Sequence, residues 1–169
     1  MDIHKRFKDM KKGSKDFFLF HDMILPISAK RLFEIMRNPL NWSIVNFPII
    51  RRVDILSHNK EVVRFNLQEK ILGKYYTSTI EMEVSEKEIR YNHVTPSFPF
   101  VKSMSSTWIF KDSFIEQSHF YIIRQFQVKN KLIKLLFPVL RLIINKHVNN
   151  YYMQLIELTK HVSIISKLL

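Results

Sequence analysis

Residues 76–84 read YTSTIEMEV, and this stretch decides the fold. Its even positions are apolar apart from one serine, while its odd positions hold two threonines and two glutamates. Successive side chains of a strand point to opposite faces, so this alternation predicts a strand with one covered face and one wet face. The stretch MSSTWIFK at 104–111 follows the same alternation at most positions. We therefore expect a sheet with one face packed against another layer.

Outward from these two stretches, runs bounded by polar turn residues predict further antiparallel strands. The predicted strands cover about 17–25, 49–57, 61–70, 74–84, 88–95, 103–112 and 118–128. Ser28 caps a predicted helix over 29–37, and Trp42 follows in a second short helical turn. The fold class is α+β: a curved antiparallel sheet of about seven strands, two short helices after the first strand, and a long C-terminal helix.

The layer expected to cover the sheet is the segment from about 130 to 161, which is rich in Leu and Ile and has no glycine. Pro138 is expected to kink this helix or to start a new one. Residues 139–162 alone would span about 36 Å at the usual helical rise, which is long enough to cross a sheet.

Length and composition limit the class of protein. A chain of 169 residues is expected to form one domain, assigned to 16–169, after a flexible basic arm over 1–15. The chain has no cysteine and only two glycines, which excludes disulfides, thiolate chemistry and glycine-rich phosphate loops. We expect no membrane span and no signal peptide, and therefore a cytoplasmic protein.

The charge points to acidic partners. There are 27 Lys and Arg against 15 Asp and Glu, and residues 1–15 and 129–161 carry net charges of +4 and +5 out of the total of +12. Such a surface favours an acidic protein, an anionic lipid or a nucleic acid. Two solvated basic faces are an equally good explanation. Nucleic acid is the weakest candidate, because no recognition motif accompanies the charge.

Four polar residues stand out on the predicted inner face: Tyr76, Ser78, His93 and Arg124. A guanidinium in a closed apolar core costs several kcal/mol unless it is paired, and no inward carboxylate is evident. Arg124 therefore predicts a cavity holding water or a polar ligand, unless it reaches solvent from the strand end. His93 is equally typical of a satisfied core histidine. The predicted apolar inner face comprises Val63, Phe65, Leu67, Ile80, Met82, Val84, Ile89, Tyr91, Met104, Trp108, Phe110, Phe120, Ile122, Phe126 and Val128.

The common catalytic sets do not assemble from these residues. The seven histidines lack the spacing of a zinc motif, and neither a glycosidase carboxylate pair nor a nucleophile elbow is evident. No metal and no cofactor are expected. An arginine and a histidine facing an apolar cavity would suit a substrate that develops enolate or alkoxide charge.

A series of local features runs from residue 17 to 162. In chain order they are Pro26 with the helix over 29–37, Asn41 and Trp42, Phe47 and Pro48, VVRFNL at 62–67, YYTS at 75–78, STWIF at 106–110, the strand over 122–128, and a long helix ending near Leu158. Together they resemble the START-like helix-grip superfamily and, within it, the polyketide cyclase/aromatase group.

The resemblance implies a sheet wrapped on a long helix around a deep cavity. It implies binding of a poly-β-ketone chain, delivered by an acidic acyl carrier protein, and its aldol cyclisation and dehydration. Trp108, Tyr76 and Ile122 fall at cavity-wall positions, and His93 and Arg124 fall where the family contacts its substrate. We assign Arg124 as oxyanion stabiliser and His93 as general acid/base. The substrate-binding set is Tyr76, Ser78, Tyr91, Ser106, Trp108 and Ile122.

The sequence departs from that group at two places. An arginine that some members carry on the third core strand is replaced near Thr79 and Ile80, and a tyrosine near the second strand is replaced around Ile49 and Ile50. A non-catalytic carrier of a quinone, sterol or lipid is therefore the alternative. The basic segment 129–146 could then rest on an anionic membrane.

Overall fold

The computed structural model describes residues 2–45, 49–59, 61–71, 73–96, 101–113, 117–129 and 131–168. Phe47 and Pro48 of the resemblance lie outside these ranges. The helices are α1 (Ile3–Lys11), α2 (Ala29–Met36), α3 (Asn41–Val45) and α4 (Lys131–Leu168). The strands are β1 (Phe17–Leu25), β2 (Ile50–His58), β3 (Val62–Ile71), β4 (Lys74–Ser85), β5 (Glu88–Thr95), β6 (Val101–Asp112) and β7 (Ser118–Val128).

All seven strands form one antiparallel sheet in the order β1-β7-β6-β5-β4-β3-β2. Strands β2 to β6 each pair with the next strand along the chain, whereas β1 pairs with β7 and forms the other edge of the sheet. The helices α2 and α3 lie in the connection that joins the two edge strands. The predicted α+β class, the antiparallel strands and the two short helices are confirmed.

The inner face of the sheet forms the core, as the alternation predicts. In β4, Ser78, Ile80 and Met82 are buried, whereas Glu83 is exposed. Trp42 of α3 enters the same core and donates from Nε1 to the backbone oxygen of Met36 at 2.8 Å. The two short helices are thereby fixed to each other and to the sheet.

Helix α4 covers this face with one stripe of buried side chains. Phe137, Ile144, Val148 and Leu155 follow spacings of seven, four and seven residues, which places them on one side of a helix. Pro138 lies inside a helix that runs unbroken from Lys131, so the predicted start of a new helix is wrong. Phe137 stacks on Phe17 with ring centroids 3.6 Å apart, and this packing holds the helix in place beside the proline.

The N-terminal segment differs from the expected flexible arm, because residues 3–11 form helix α1. The Asp2 side chain accepts from the backbone N–H of His4 at 2.9 Å and caps the helix. Ile3 is buried with Ile109 and Ile123 on the outer face of the sheet. Ile3, Phe7 and Met10 are spaced as on one face of a helix, and this spacing indicated helix α1. The surrounding lysines and arginine, however, favoured a prediction of disorder.

A paired charge also holds α1 on the sheet. Arg6 donates to both carboxylate oxygens of Glu88 on β5, at 2.7 and 3.0 Å. Both side chains are mostly buried, so this bidentate pair is worth more than an exposed ion pair. Helix α1 therefore belongs to the folded unit.

Candidate functional site

The structure has a cavity where the sequence predicts one, between the inner face of the sheet, α3 and α4. Its volume is about 60 Å³, measured as space open to the centre of a water molecule. One water needs roughly 10–15 Å³ on this measure, so the cavity holds several waters or a small ligand group. The lining residues are Trp42, Ile49, Ile50, Leu67, Glu69, Tyr91, His93, Met104, Trp108, Arg124, Phe126, Ile144 and Val148.

Arg124 reaches this cavity from β7. Its strand neighbours are Ser106 on β6 and Leu19 on β1, and its side chain is half-buried. The surroundings are largely apolar, so the positive charge lies in a region of low dielectric constant. Any negative charge that a ligand brings or develops there is stabilised more strongly than in water.

Glu69 of β3 also lines the cavity, so the expectation that no carboxylate faces inward is wrong. Glu69 continues the inward alternation of Phe65 and Leu67, and extending that pattern by two residues would have found it. Among the described lining residues it is the only carboxylate. Strand β3 lies next to the edge strand β2 and β7 lies next to the other edge strand, β1, so Glu69 and Arg124 approach the cavity from opposite ends of the inner face.

His93 lies in the floor of the cavity on β5, between Ile80 of β4 and Met104 of β6. Burial, with a smaller contribution from Arg124, lowers the pKa of His93 to about 3. The imidazole is therefore neutral at physiological pH, and one ring nitrogen donates while the other accepts. Among the described residues, its Nδ1 has no hydrogen-bond partner. It offers hydrogen bonding to a ligand, whereas proton transfer near neutral pH favours a pKa closer to 7.

Three aromatic side chains form one wall. The ring centroids of Trp42 and Trp108 are 5.0 Å apart, and those of Tyr91 and Trp108 are 5.1 Å apart. Phe120 packs behind Trp108 with its ring edge-on at 5.7 Å. The buried Nε1 of Trp108 has no hydrogen-bond partner among the described residues. This wall suits a flat apolar ligand.

The structure brings together four of the eight predicted site residues: Arg124, His93, Tyr91 and Trp108 line the cavity. Ser78, Ser106 and Ile122 are buried on the same face but are not among its described lining residues, and Tyr76 is half-buried beside Glu69. The serine side chains are short and lie between larger neighbours, which explains why they do not reach the cavity.

Two kinds of lining residue were missed by sequence analysis. Trp42 sits in a five-residue helix that is too short for a periodic pattern, although a tryptophan in a polar turn is itself a signal. Ile144 and Val148 belong to a helix that is apolar on several sides, so the sequence does not show which stripe faces the sheet. Only the packing of α4 decides this.

His21 is a further inward polar residue that the sequence analysis did not single out. It lies on β1, where it pairs with Ile122 of β7, and its side chain is on the same face of the strand as those of Leu19 and Met23. Burial lowers its pKa to about 4, and Arg124 and Arg141 act in the same direction. Two histidines and Arg124 therefore share the interior, and both histidines are neutral at physiological pH.

These neutral histidines predict acid sensitivity. The folded pKa of His93 is about 3, against about 6.5 in the unfolded chain. Below pH 6.5 the unfolded chain binds a proton that the folded chain does not. The free energy of unfolding should therefore fall as the pH drops from about 6.5 toward 3, by up to about 1.4 kcal/mol per pH unit for His93. His21 adds to this fall down to about pH 4.

Urea unfolding at about pH 7.5 and about pH 5 measures this loss. His93→Gln should remove about 2 kcal/mol of the difference between the two pH values. His58→Gln, at the exposed end of β2, is the matched control and should keep the full difference. Equal pH dependence in wild type and His93→Gln would contradict the burial of a neutral histidine.

Comparisons with known proteins identify the fold. No family model matches the sequence, and no curated protein matches it. Among solved structures, the Zhui aromatase/cyclase from Streptomyces sp. R1128 is similar with a TM-score of 0.76 and 15% identity, covering 86% of this chain and 94% of that one. A START superfamily protein from Mycobacterium smegmatis has a TM-score of 0.74 and 11% identity, over 86% and 98% of the two chains.

An enzyme with a different chemistry shares the same architecture. Norcoclaurine synthase from Thalictrum flavum, in complex with a transition-state analogue, has a TM-score of 0.68 and 10% identity over 88% of this chain and 96% of that one. At these identities the likeness establishes the fold alone. The chain has the START-like helix-grip fold, and this architecture houses more than one activity.

Proposed function

We propose that the cavity receives the oxygen-bearing part of an apolar ligand of the poly-β-ketone class and promotes its aldol cyclisation and dehydration. The observation that carries the proposal is the convergence of cationic Arg124 and neutral His93 on one cavity with an aromatic wall. Small-molecule sites typically combine an apolar lining with a few converging polar groups. The fold, shared with an aromatase/cyclase, is consistent with this class of ligand.

The chemistry requires stabilised negative charge on oxygen. Removal of a proton from a carbon between two ketones gives an enolate, whose carbon attacks a second carbonyl and forms the new carbon–carbon bond. The resulting alkoxide takes that proton back, and loss of the new hydroxyl together with a hydrogen of the neighbouring carbon, as water, then gives the conjugated ring. Arg124 would stabilise the enolate and alkoxide oxygens, His93 would hydrogen-bond the carbonyl, and Glu69 would accept the first proton.

The second candidate is a non-catalytic carrier of a quinone, sterol or lipid. The specific observation in its favour is the pKa of His93, which at about 3 suits a fixed hydrogen-bonding group better than a catalyst of proton transfer. In such a carrier, Arg124 and His93 would hold the ligand's carbonyl or head group. An acidic acyl carrier protein fits only the cyclase proposal, where the net charge of +12 would steer it toward this chain.

Native mass spectrometry of the protein isolated from its own cells tests the proposal. Release of an oxygenated aromatic or poly-β-ketone compound would support the cyclase function, and a quinone, sterol or lipid would select the carrier. Ile144→Phe, which places a larger side chain in the cavity lining, should reduce the bound fraction. Leu142→Phe, on the exposed side of the same helix, should not. A ligand retained equally by both variants would show that binding occurs outside the cavity.

A further inference from the structure

The N-terminal half of α4 carries apolar side chains on the side that faces away from the core. Leu135, Leu136, Val139 and Leu142 are 77%, 50%, 57% and 69% exposed; we call them the outer stripe. At 3.6 residues per turn they lie opposite the buried stripe that includes Phe137 and Ile144. This half of the helix is therefore apolar on both sides, whereas a helix that merely covers a core is polar on its outer side.

Exposed cations lie near the two ends and along one flank of the outer stripe. Lys129, Arg141 and Lys146 are exposed, and Lys146 follows Leu142 by one turn on the outer side of the helix. An open groove beside the stripe brings Lys11 of α1 together with Arg141 and Leu142. The groove also contains one carboxylate, Asp16, whose Oδ2 accepts hydrogen bonds from Gln125 and Gln127.

We propose that the outer stripe and these cations bind the surface of a bilayer that contains anionic lipids. Leu and Val side chains flanked by Lys and Arg are the pattern of a helix that lies in the plane of a membrane interface. Among the described residues, no helix is long and apolar enough to cross a membrane. The geometry is that of a helix lying on the bilayer.

The exposed apolar side chains favour a membrane over an acidic protein as the partner. Charge steering toward an acidic protein needs only Lys11, Arg141 and their neighbours, and leaves the outer stripe without a role. Four exposed aliphatic side chains on one helix face gain from transfer into acyl chains. The proposal does not rest on the proposed function, because none of the outer stripe is among the described residues that line the cavity.

Flotation of the full chain with vesicles is the test. We expect binding to phosphatidylcholine vesicles containing phosphatidylglycerol, weaker binding at high salt, and little binding to phosphatidylcholine alone. Leu135→Glu with Val139→Glu should lower the partition coefficient at least about tenfold. The matched control is Asn149→Glu with Asn150→Glu, which adds the same charge at exposed positions of the same helix without removing an apolar side chain. It should lower binding by at most about threefold, since charge alone has a small effect when screened.

Three outcomes would overturn the proposal. The wild type could fail to float with anionic vesicles, it could float equally well with neutral ones, or both double variants could lose binding equally. Light scattering tests whether a second copy of the chain occupies the outer stripe instead. If the wild type does not bind vesicles but forms a dimer, and Leu135→Glu with Val139→Glu dissociates that dimer, the outer stripe is a dimer interface. Because the altered side chains are exposed, each variant should keep the melting temperature of the wild type. If the protein fails to float with vesicles, the proposal that the cavity binds a ligand is not affected.

Discussion

Arg124→Met is expected to lower the rate of ring closure about 10²- to 10³-fold, the usual effect of removing one preorganised group that stabilises an oxyanion. Methionine fills a similar volume without the charge, so the apolar core around Leu19 and Phe126 should remain packed. The measurement is product formation from a poly-β-ketone substrate in a reconstituted synthase. If the protein is a carrier, the same variant should instead weaken ligand binding about 10- to 100-fold, since a hydrogen bond to a charged group is worth about 1.5–3 kcal/mol.

Arg64→Met is the matched control, because Arg64 lies on the outer face of β3 and its contact with Glu81 is a half-exposed ion pair at 3.8 Å. Arg64→Met lowers the net charge of the protein by the same one unit as Arg124→Met. It should leave turnover and binding within about twofold of wild type. Equal losses in the two variants would assign the effect of Arg124 to net charge. Full activity of Arg124→Met would refute its role as oxyanion stabiliser.

Phe120→Ala is expected to cost about 3–5 kcal/mol of folding free energy, the range typical of truncating a large aromatic side chain in a packed core. Phe120 is fully buried, stacks on Phe110 at 5.0 Å and supports Trp108 from behind. For a domain of this size such a loss lowers the melting temperature by about 6–20 °C. Thermal and urea unfolding at neutral pH measure both quantities.

Phe120→Leu serves as the comparison, because leucine leaves a much smaller void and should cost only about 1–1.5 kcal/mol. Similar costs for the two variants would mean that the space behind Trp108 refills on mutation. The two predictions are separable: Phe120→Ala should act on stability first, whereas Arg124→Met should act on the ligand without a large loss of stability.

The sequence predicts the sheet well because alternation is a local property. All seven strands follow from alternation or from runs bounded by polar turn residues, the inward positions of β4 follow from period two, and Arg124 and His93 follow as polar exceptions to it. The difference at the N-terminus has a physical cause. Helix α1 is polar in composition and becomes ordered only by tertiary contacts of Ile3 and by the pairing of Arg6 with Glu88.

The cavity itself was harder to predict than its strand residues. Glu69 continued a recognised alternation and could have been found, whereas Trp42 reaches the cavity because α3 folds back onto the sheet. The side of α4 that faces inward is likewise set by tertiary packing, since apolar residues lie on two opposite sides of the N-terminal half of the helix. A sequence specifies which residues alternate, but non-local contacts specify which of them meet.

The placement of β1 has a consequence for biosynthesis. Phe17 pairs with Phe126, so β1 leaves the ribosome well before the strand that it pairs with. At about 5–20 residues per second, β1 waits roughly 5–20 s for β7, while β2 to β7 can pair in turn with their sequence neighbours. During that interval the nascent chain carries the FFLF stretch at 17–20 without its strand partner. Protection of this segment by a chaperone during translation would therefore raise the yield of correctly paired sheets.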